Sequence, residues 1–377
     1  DTLLVLVSYL PHIGQDSEPK TKPTQHAART LNSAGLQPDI IVARSTEEID
    51  DKRKEKIAFN CGMKKEDVIS APSAESIYEI PLNFEKDNMG KVICEKLKIK
   101  SRKKDFKAWK DFVDKIKKAA ETVKIGIIGK YFSTGDFVLA DSYISVIEAI
   151  KHSAYFHGKK PIIEWLNAEK YDGGGAEEYL KKLNEYDGII VPGGFGDRGV
   201  EGKISAIKYC RENKIPILGI CYGMQLMVVE FARYIVGLKG AHTTEVNPKT
   251  FYNVIDILPE QKEKMAKNNY GGSMRLGAYD ANIKKGTIAY ASYGKEKISE
   301  RHRHRYEVNP DFIKQLEEKG IVFSCQSPNG KLMEIAELPE SVHPFFLGAQ
   351  FHPEFKSRPL DPHPLFLKFI EMAIKEI

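Results

Sequence analysis

The chain has 377 residues, 42% of them hydrophobic, and its 57 Lys and Arg against 52 Asp and Glu leave a net charge of +5. Single cores stop growing near 250–300 residues, roughly, so this length predicts two or three domains rather than one. Five scattered cysteines without a CxxC pair (Cys61, Cys94, Cys210, Cys221, Cys325) argue against a disulfide scaffold or structural zinc and for a reduced, soluble, cytoplasmic protein. The sequence has no run near the roughly 20 apolar residues of a bilayer span, no signal peptide, and too little charge to suggest a nucleic-acid or membrane partner.

The chain opens at Asp1 directly on an apolar run, TLLVLV (2–7), which reads as a strand entered partway through a domain. A helix follows from Pro23 to Gly35, with proline at its first position and glycine where the C-cap belongs. The strand DIIVAR (39–44) and the charged helix RKEKIAF (53–59) continue the alternation, which predicts an α/β layer with parallel strands. Residues 98–124 hold eleven Lys or Arg against four Asp or Glu. Within them Trp109, Phe112, Val113, Ile116 and Ala120 recur at three and four residues, the pattern of an amphipathic linker helix. The expected domains are therefore 1–100, a basic linker 101–122, and 123–377.

From KIGIIGKY (124–131) onward, strands and helices alternate regularly through KPIIEWLN, AEEYLKKLN, GIIVPGG, KISAIKYCREN and PILGI, which predicts a doubly wound sheet. Beyond Gly240 the chain reads as turns and short strands, closing on the helix PLFLKFIEMAIKEI.

Three stretches of this second domain carry chemistry. In PILGICYGMQLMVVEFA (216–232) a short strand meets Gly-Ile-Cys-Tyr-Gly and then a helical pattern, the layout of a nucleophile elbow. Gly219 and Gly223 flank the strained turn, and a thiol at a helix N-terminus is favoured as thiolate. A buried, inert Cys221 is the other reading. GAQFHPEF (348–355), if extended, sets His352 and Glu354 on one face of a strand, as a base and its orienting carboxylate; a surface turn is the alternative. VPGGFG (191–196) ends a buried strand in glycines, so the N–H groups of Gly194 and Tyr222 are candidates for an oxyanion hole. GGFGDRG fits neither phosphate-loop pattern.

Together, PGGFG, GICYGMQ and QFHPEF resemble the class I glutamine amidotransferases, and KTKPTQH (20–26), GGFGDRGVEG, GGSMRLG (271–277) and ERHRHRYEVN (300–309) resemble the CTP synthase family along the whole chain. The resemblance implies an α/β protein: a C-terminal class I amidotransferase domain with a doubly wound sheet, preceded by part of a Rossmann-like P-loop synthetase (amidoligase) domain. It implies ATP-dependent amination of UTP to CTP with ammonia from L-glutamine, ATP as co-substrate, Mg²⁺, GTP as an activator, and a homotetramer. Cys221, His352 and Glu354 would form the triad. Gly194, Tyr222, Gly223, Met224, Gln225, Glu245 and Arg305 would hold glutamine, Glu245 on its ammonium and Arg305 on its carboxylate. Lys20, Thr21, Lys22, Pro23, Thr24, Gln25 and Lys56 would bind the UTP or CTP triphosphate, two of the lysines standing at a Pro-initiated helix N-terminus; lysines on a solvated loop are the alternative. Tyr222 stands where the family has Leu.

No Walker motif occurs in the chain. The expectation is thus that the N-terminal part of the synthetase domain is lacking, that the Mg²⁺ ligands lie upstream of residue 1, and that the chain retains only the glutaminase half. RHRHR (301–305) would be read as an RNA patch but for its want of stacking aromatics beyond Tyr306. Another elbow-cysteine hydrolase would leave KTKPTQH without a purpose, and a non-catalytic scaffold would not need Cys, His and Glu together.

Overall fold

The computed structural model describes residues 2–14, 18–101, 105–129, 133–134, 137–138, 143–257 and 274–375. The glycines of GGSMRLG at 271–272 lie outside them, as do the lysine and tyrosine closing KIGIIGKY. The chain divides into two compact units, Asp1–Asp114 and Lys115–Ile377.

The first unit comprises Val5–Tyr9 (β1), Lys22–Ser33 (α1), Ile40–Ser45 (β2), Asp51–Cys61 (α2), Val68–Pro72 (β3), Ile80–Lys86 (α3), Met89–Lys96 (α4) and most of Lys107–Lys118 (α5). β1, β2 and β3 form a parallel three-stranded sheet in that order. The first strand runs over 5–9 rather than 2–7 because its register is set by β2, Val5 opposite Ile40 and Tyr9 opposite Arg44. α1 begins as predicted with Pro23 in its first turn, and Gly35 takes a left-handed φ of 77° just past its end. Phe112 and Trp109 of α5 pack against Tyr78, whose carbonyl accepts the indole N–H at 2.8 Å. α5 stops at Lys118, short of Ala120, because the β-branched Thr122 and Val123 open the next strand, where Val123 is fully buried.

The second unit continues through Thr122–Gly129 (β4), the short pair Ser133–Thr134 (β5) and Phe137–Val138 (β6), Ile144–Phe156 (α6), Lys160–Asn167 (β7), Ala176–Lys181 (α7), Gly188–Val191 (β8), Val200–Glu212 (α8), Ile217–Ile220 (β9) and Tyr222–Phe231 (α9). Then come Ile255–Ile257 (β10), Arg275–Ile283 (β11), Ile288–Tyr293 (α10), Lys297–His304 (β12), Tyr306–Val308 (β13), Pro310–Glu317 (α11), Val322–Gln326 (β14), Met333–Glu337 (β15), Phe346–Ala349 (β16) and Pro364–Ala373 (α12). Its sheet has nine strands in the order β12-β11-β14-β15-β16-β9-β8-β4-β7. The half from β16 to β7 is parallel, and the half from β12 to β16 is antiparallel. The expected doubly wound sheet is therefore a mixed one. The cause lies in the connections: beyond Gly240 several are too short to carry a crossover helix, so consecutive strands pair as hairpins. β8 and β9 sit centrally and are buried at every position, as strands covered on both faces must be.

Among the described residues no helix is long and apolar enough to cross a membrane.

Candidate active site

Two central parallel strands, β8 and β9, end side by side, and the loops leaving them build the site. β9 passes into α9 through Cys221, whose φ of 51° and ψ of −101° put a non-glycine residue in sterically costly backbone space. The strain therefore rests on the cysteine itself. Gly219 and Gly223 are needed for room instead: a Cβ on Gly223 would lie 2.0 Å from the Val191 carbonyl oxygen, and one on Gly219 would lie 2.8 Å from Gly223 C and 2.4 Å from Met227 Sδ. Cys221 N–H donates to Ala349 O at 2.6 Å, which ties the elbow to the end of β16. α9 then runs away from the sulfur with every residue buried, so its N-terminal N–H groups face the thiol side.

The second loop, leaving β16, carries His352 and Glu354. The expected strand does not form. Pro353 supplies no N–H for a sheet ladder, and Pro353–Lys356 closes a 3-10 turn in its place. The turn does what the strand was expected to do: His352 Nδ1 and Glu354 Oε1 are 2.7 Å apart. His352 N–H donates to Arg301 O of β12 at 2.8 Å, and its ring stacks on Phe355. Burial alone would lower the pKa of His352, but hydrogen bonds to Cys221 and Glu354 outweigh it and raise the ring from 6.5 to about 10. The sulfur and the carboxylate thus both favour the protonated ring.

The third loop, leaving β8, carries PGGFG. A Cβ on Gly193 would lie 3.1 Å from His352 Cε1 and 3.7 Å from Cys221 Cβ, so glycine is what lets this loop pass between them. Two cavities open at Cys221. One, of about 260 Å³, lies on the His352 side and includes Tyr143, Gly194 and Arg303. The other, of about 310 Å³, gathers Gly194, Tyr222, Gln225, Glu245 and Arg305 around the cysteine. Five of the seven residues expected to hold glutamine thus meet at one place, although they lie up to 111 positions apart in sequence (305 − 194). Gly223 packs on Val191, and Met224 is fully buried beneath Gly348; neither lines the cavity. Glu245 Oε1 accepts the N–H of Gly196 at 2.9 Å, and the hydroxyl of Tyr222 donates to Gly196 O at 3.0 Å.

RHRHR lies along β12 and just beyond it. His302 and His304 turn inward, where burial and the nearby Arg275 push their pKa values down to about 2 and about 3, so only the arginines carry charge. Arg275 of GGSMRLG is also internal, pairing with Glu334 at 2.8 Å and Glu307 at 3.5 Å. No sequence pattern flagged this buried cluster, because charged residues at such spacing read as a solvated strand face.

In the first unit, Lys20, Lys22 and Lys56 are not fully buried, and Lys20 lies 3.6 Å from Glu18. Thr24 and Gln25 are buried and committed internally, Thr24 accepting from Ser8 and Gln25 donating to Thr21. Thr21 flanks α1 without a side-chain cap.

An elbow cysteine, a histidine–carboxylate pair and a mixed α/β sheet define the glutamine amidotransferase class, and the family model "Glutamine amidotransferase class-I" matches residues 138–372. A second model, "CTP synthase N-terminus", matches residues 1–99. CTP synthases of Methanocaldococcus jannaschii and Halalkalibacterium halodurans are 48% and 44% identical, each over all of this chain and 68% of its own length. The glutaminase domain of a Trypanosoma brucei CTPS, solved with bound acivicin, superposes with a TM-score of 0.61 at 38% identity, over 67% of this chain and 94% of that one. The chain belongs to the CTP synthase family: it is a ligase with glutamine amidotransferase activity, an enzyme of CTP and pyrimidine biosynthesis.

The match over residues 1–99 overturns the expectation that the N-terminal part of the synthetase domain is lacking. That expectation rested on the absence of a Walker motif, and a missing motif does not place a segment within its domain. The expectation that only the glutaminase half is retained loses the same support.

Proposed function

We propose that Cys221, His352 and Glu354 are the triad that releases ammonia from glutamine. The observation that carries the proposal is Cys221 at a strained helix N-terminus, lining one cavity with a histidine whose Nδ1 is held by Glu354 at 2.7 Å. The sulfur attacks the side-chain amide carbon of glutamine, and the oxyanion forms toward the N–H groups of Gly194 and Tyr222. The C–N bond breaks as His352 gives its proton to the departing nitrogen, leaving a γ-glutamyl thioester and ammonia. Water then adds to the thioester with His352 as base; glutamate leaves and the thiol is restored. Glu245 and Arg305 hold the amino-acid end of glutamine in the 310 Å³ cavity.

The family relation supports the rest of the reaction: ATP phosphorylates UTP, ammonia displaces the phosphate, and CTP results, with Mg²⁺ as cofactor, GTP as activator and a homotetramer as the assembly. Lys20, Lys22 and Lys56 are proposed to neutralise the UTP or CTP triphosphate, helped by the uncapped N-terminus of α1. Among the described residues no group of three or more His, Cys, Asp or Glu is placed to hold a metal ion, so no step is assigned to Mg²⁺. Glutamate release by variants of the three triad residues tests the proposal. Loss of release in each, with the fold retained, is the expected result.

A further inference from the structure

Behind the sulfur lies a buried amide chain that the triad leaves unexplained. Gln225, one turn along α9 from the elbow, donates from Nε2 to the backbone carbonyl of Tyr306 at 3.0 Å and to Gln350 Oε1 at 3.2 Å. Gln350 itself is fully buried, and its Nε2 lies 3.7 Å from Cys221 Sγ.

The direction of this chain is fixed by its far end. A carbonyl oxygen only accepts, so the nitrogen of Gln225 must face Tyr306 O. That same nitrogen faces Gln350, which must answer with oxygen. The nitrogen of Gln350 is then left pointing at the sulfur. The hydrogen-bond network, not a free choice of amide orientation, sets a donor against Cys221.

We propose that Gln350 is a catalytic residue whose side-chain N–H stabilises the anionic sulfur of Cys221, both before attack and when the thioester releases it. This inference rests on Cys221 being the nucleophile. Among the described residues, the other charged or titratable groups around the sulfur are His352, with Glu354 behind it, Arg303, His304, Arg305 and Tyr306 of the RHRHRY segment, Tyr143, Tyr222, and Glu245 across the glutamine cavity. None of them contacts Gln350 by a hydrogen bond; His304 meets the far end of the chain, sharing the Tyr306 carbonyl with Gln225. Gln350 belongs to the QFHPEF run but carries no charge, which is why sequence reasoning passed over it.

The test is the pH dependence of Cys221 alkylation by iodoacetamide in the whole chain, read on the Cys221 peptide by mass spectrometry so that the other four cysteines do not interfere. A hydrogen bond to a charged sulfur is worth more than one to a neutral thiol, so its removal raises the pH of half-ionisation. In Gln350→Met the inflection is expected to move up by about one pH unit, slowing alkylation about tenfold below it, while the rate at the alkaline plateau is unchanged. Gln350→Asn withdraws the amide by one methylene but keeps the buried site polar, and it carries the same expectation should the Met variant not fold. Glutamine hydrolysis below the inflection should fall in parallel; a shifted inflection with undiminished hydrolysis would mean that Cys221 is not the nucleophile, and the catalytic role of Gln350 would fall with it. An inflection that stays put in the folded variants, whatever happens to the plateau, overturns the proposal.

Discussion

His352 is pulled in opposite directions by its surroundings: burial penalises its charge, and Cys221 and Glu354 favour it by more. Its folded pKa, about 10, lies above the ordinary 6.5. The stabilisation it contributes is therefore present in full below about pH 6.5 and is lost as pH rises toward 10. Melting temperatures of the parent and of His352→Gln should differ most near pH 6 and converge by pH 10. A gap independent of pH would show that the ring is not held as a cation. Cys221 shows the same economy at the backbone, since a residue kept at φ 51° is strained and persists because β9, α9 and the Ala349 carbonyl all fix it.

At the scale of elements, the turn from β9 into α9 works only if backbones approach more closely than a Cβ allows. Gly223→Ala places a methyl 2.0 Å from a carbonyl oxygen of β8, and neither partner is a flexible side chain. The expected cost is about 3 kcal/mol, at the upper end for overpacking because both contacts are backbone, read as a fall in melting temperature or a failure to fold. Little change would mean that α9 can slide away from β8. Tyr222 joins the same turn to the glycine loop after β8 through Gly196. Tyr222→Phe keeps the ring but removes one of the loop's two ties at Gly196, leaving the one to Glu245, so KM for glutamine should rise several-fold with a smaller change in kcat; an unaltered KM would leave the hydroxyl without a role. The elements themselves were largely legible. KPIIEWLN gave a strand over Lys160–Asn167, and GICYGMQ gave the elbow. His352 and Glu354 were legible as a pair but not as a turn, because the spacing of two suits either geometry and Pro353 decides between them. Arg275, Glu307 and Glu334 were not legible, since they meet from β11, β13 and β15, strands of two different sheets, and no local pattern marks them as neighbours.

For the whole molecule, the proposed roles divide between the two units. Lys22→Ala and Lys56→Ala should each weaken UTP binding about tenfold, measured by titration calorimetry, while glutamine hydrolysis is unchanged. An equal loss in both would assign these lysines to the fold instead. The glutamine site draws on the segments after β8, β9 and β12 and on Glu245 between α9 and β10, and only the resemblance to a family brought Glu245 and Arg305 into view from sequence, because nothing local marks them as neighbours of Cys221. The most direct measurement is glutamate release from glutamine by the purified 377-residue chain and by its Cys221→Ala variant, with circular dichroism to confirm an unchanged fold. Hydrolysis by the parent and a drop of at least about 10⁴-fold in the variant is the predicted result. Glutamate release that survives in Cys221→Ala would contradict the assignment of the nucleophile and, with it, the roles given to His352, Glu354 and Gln350.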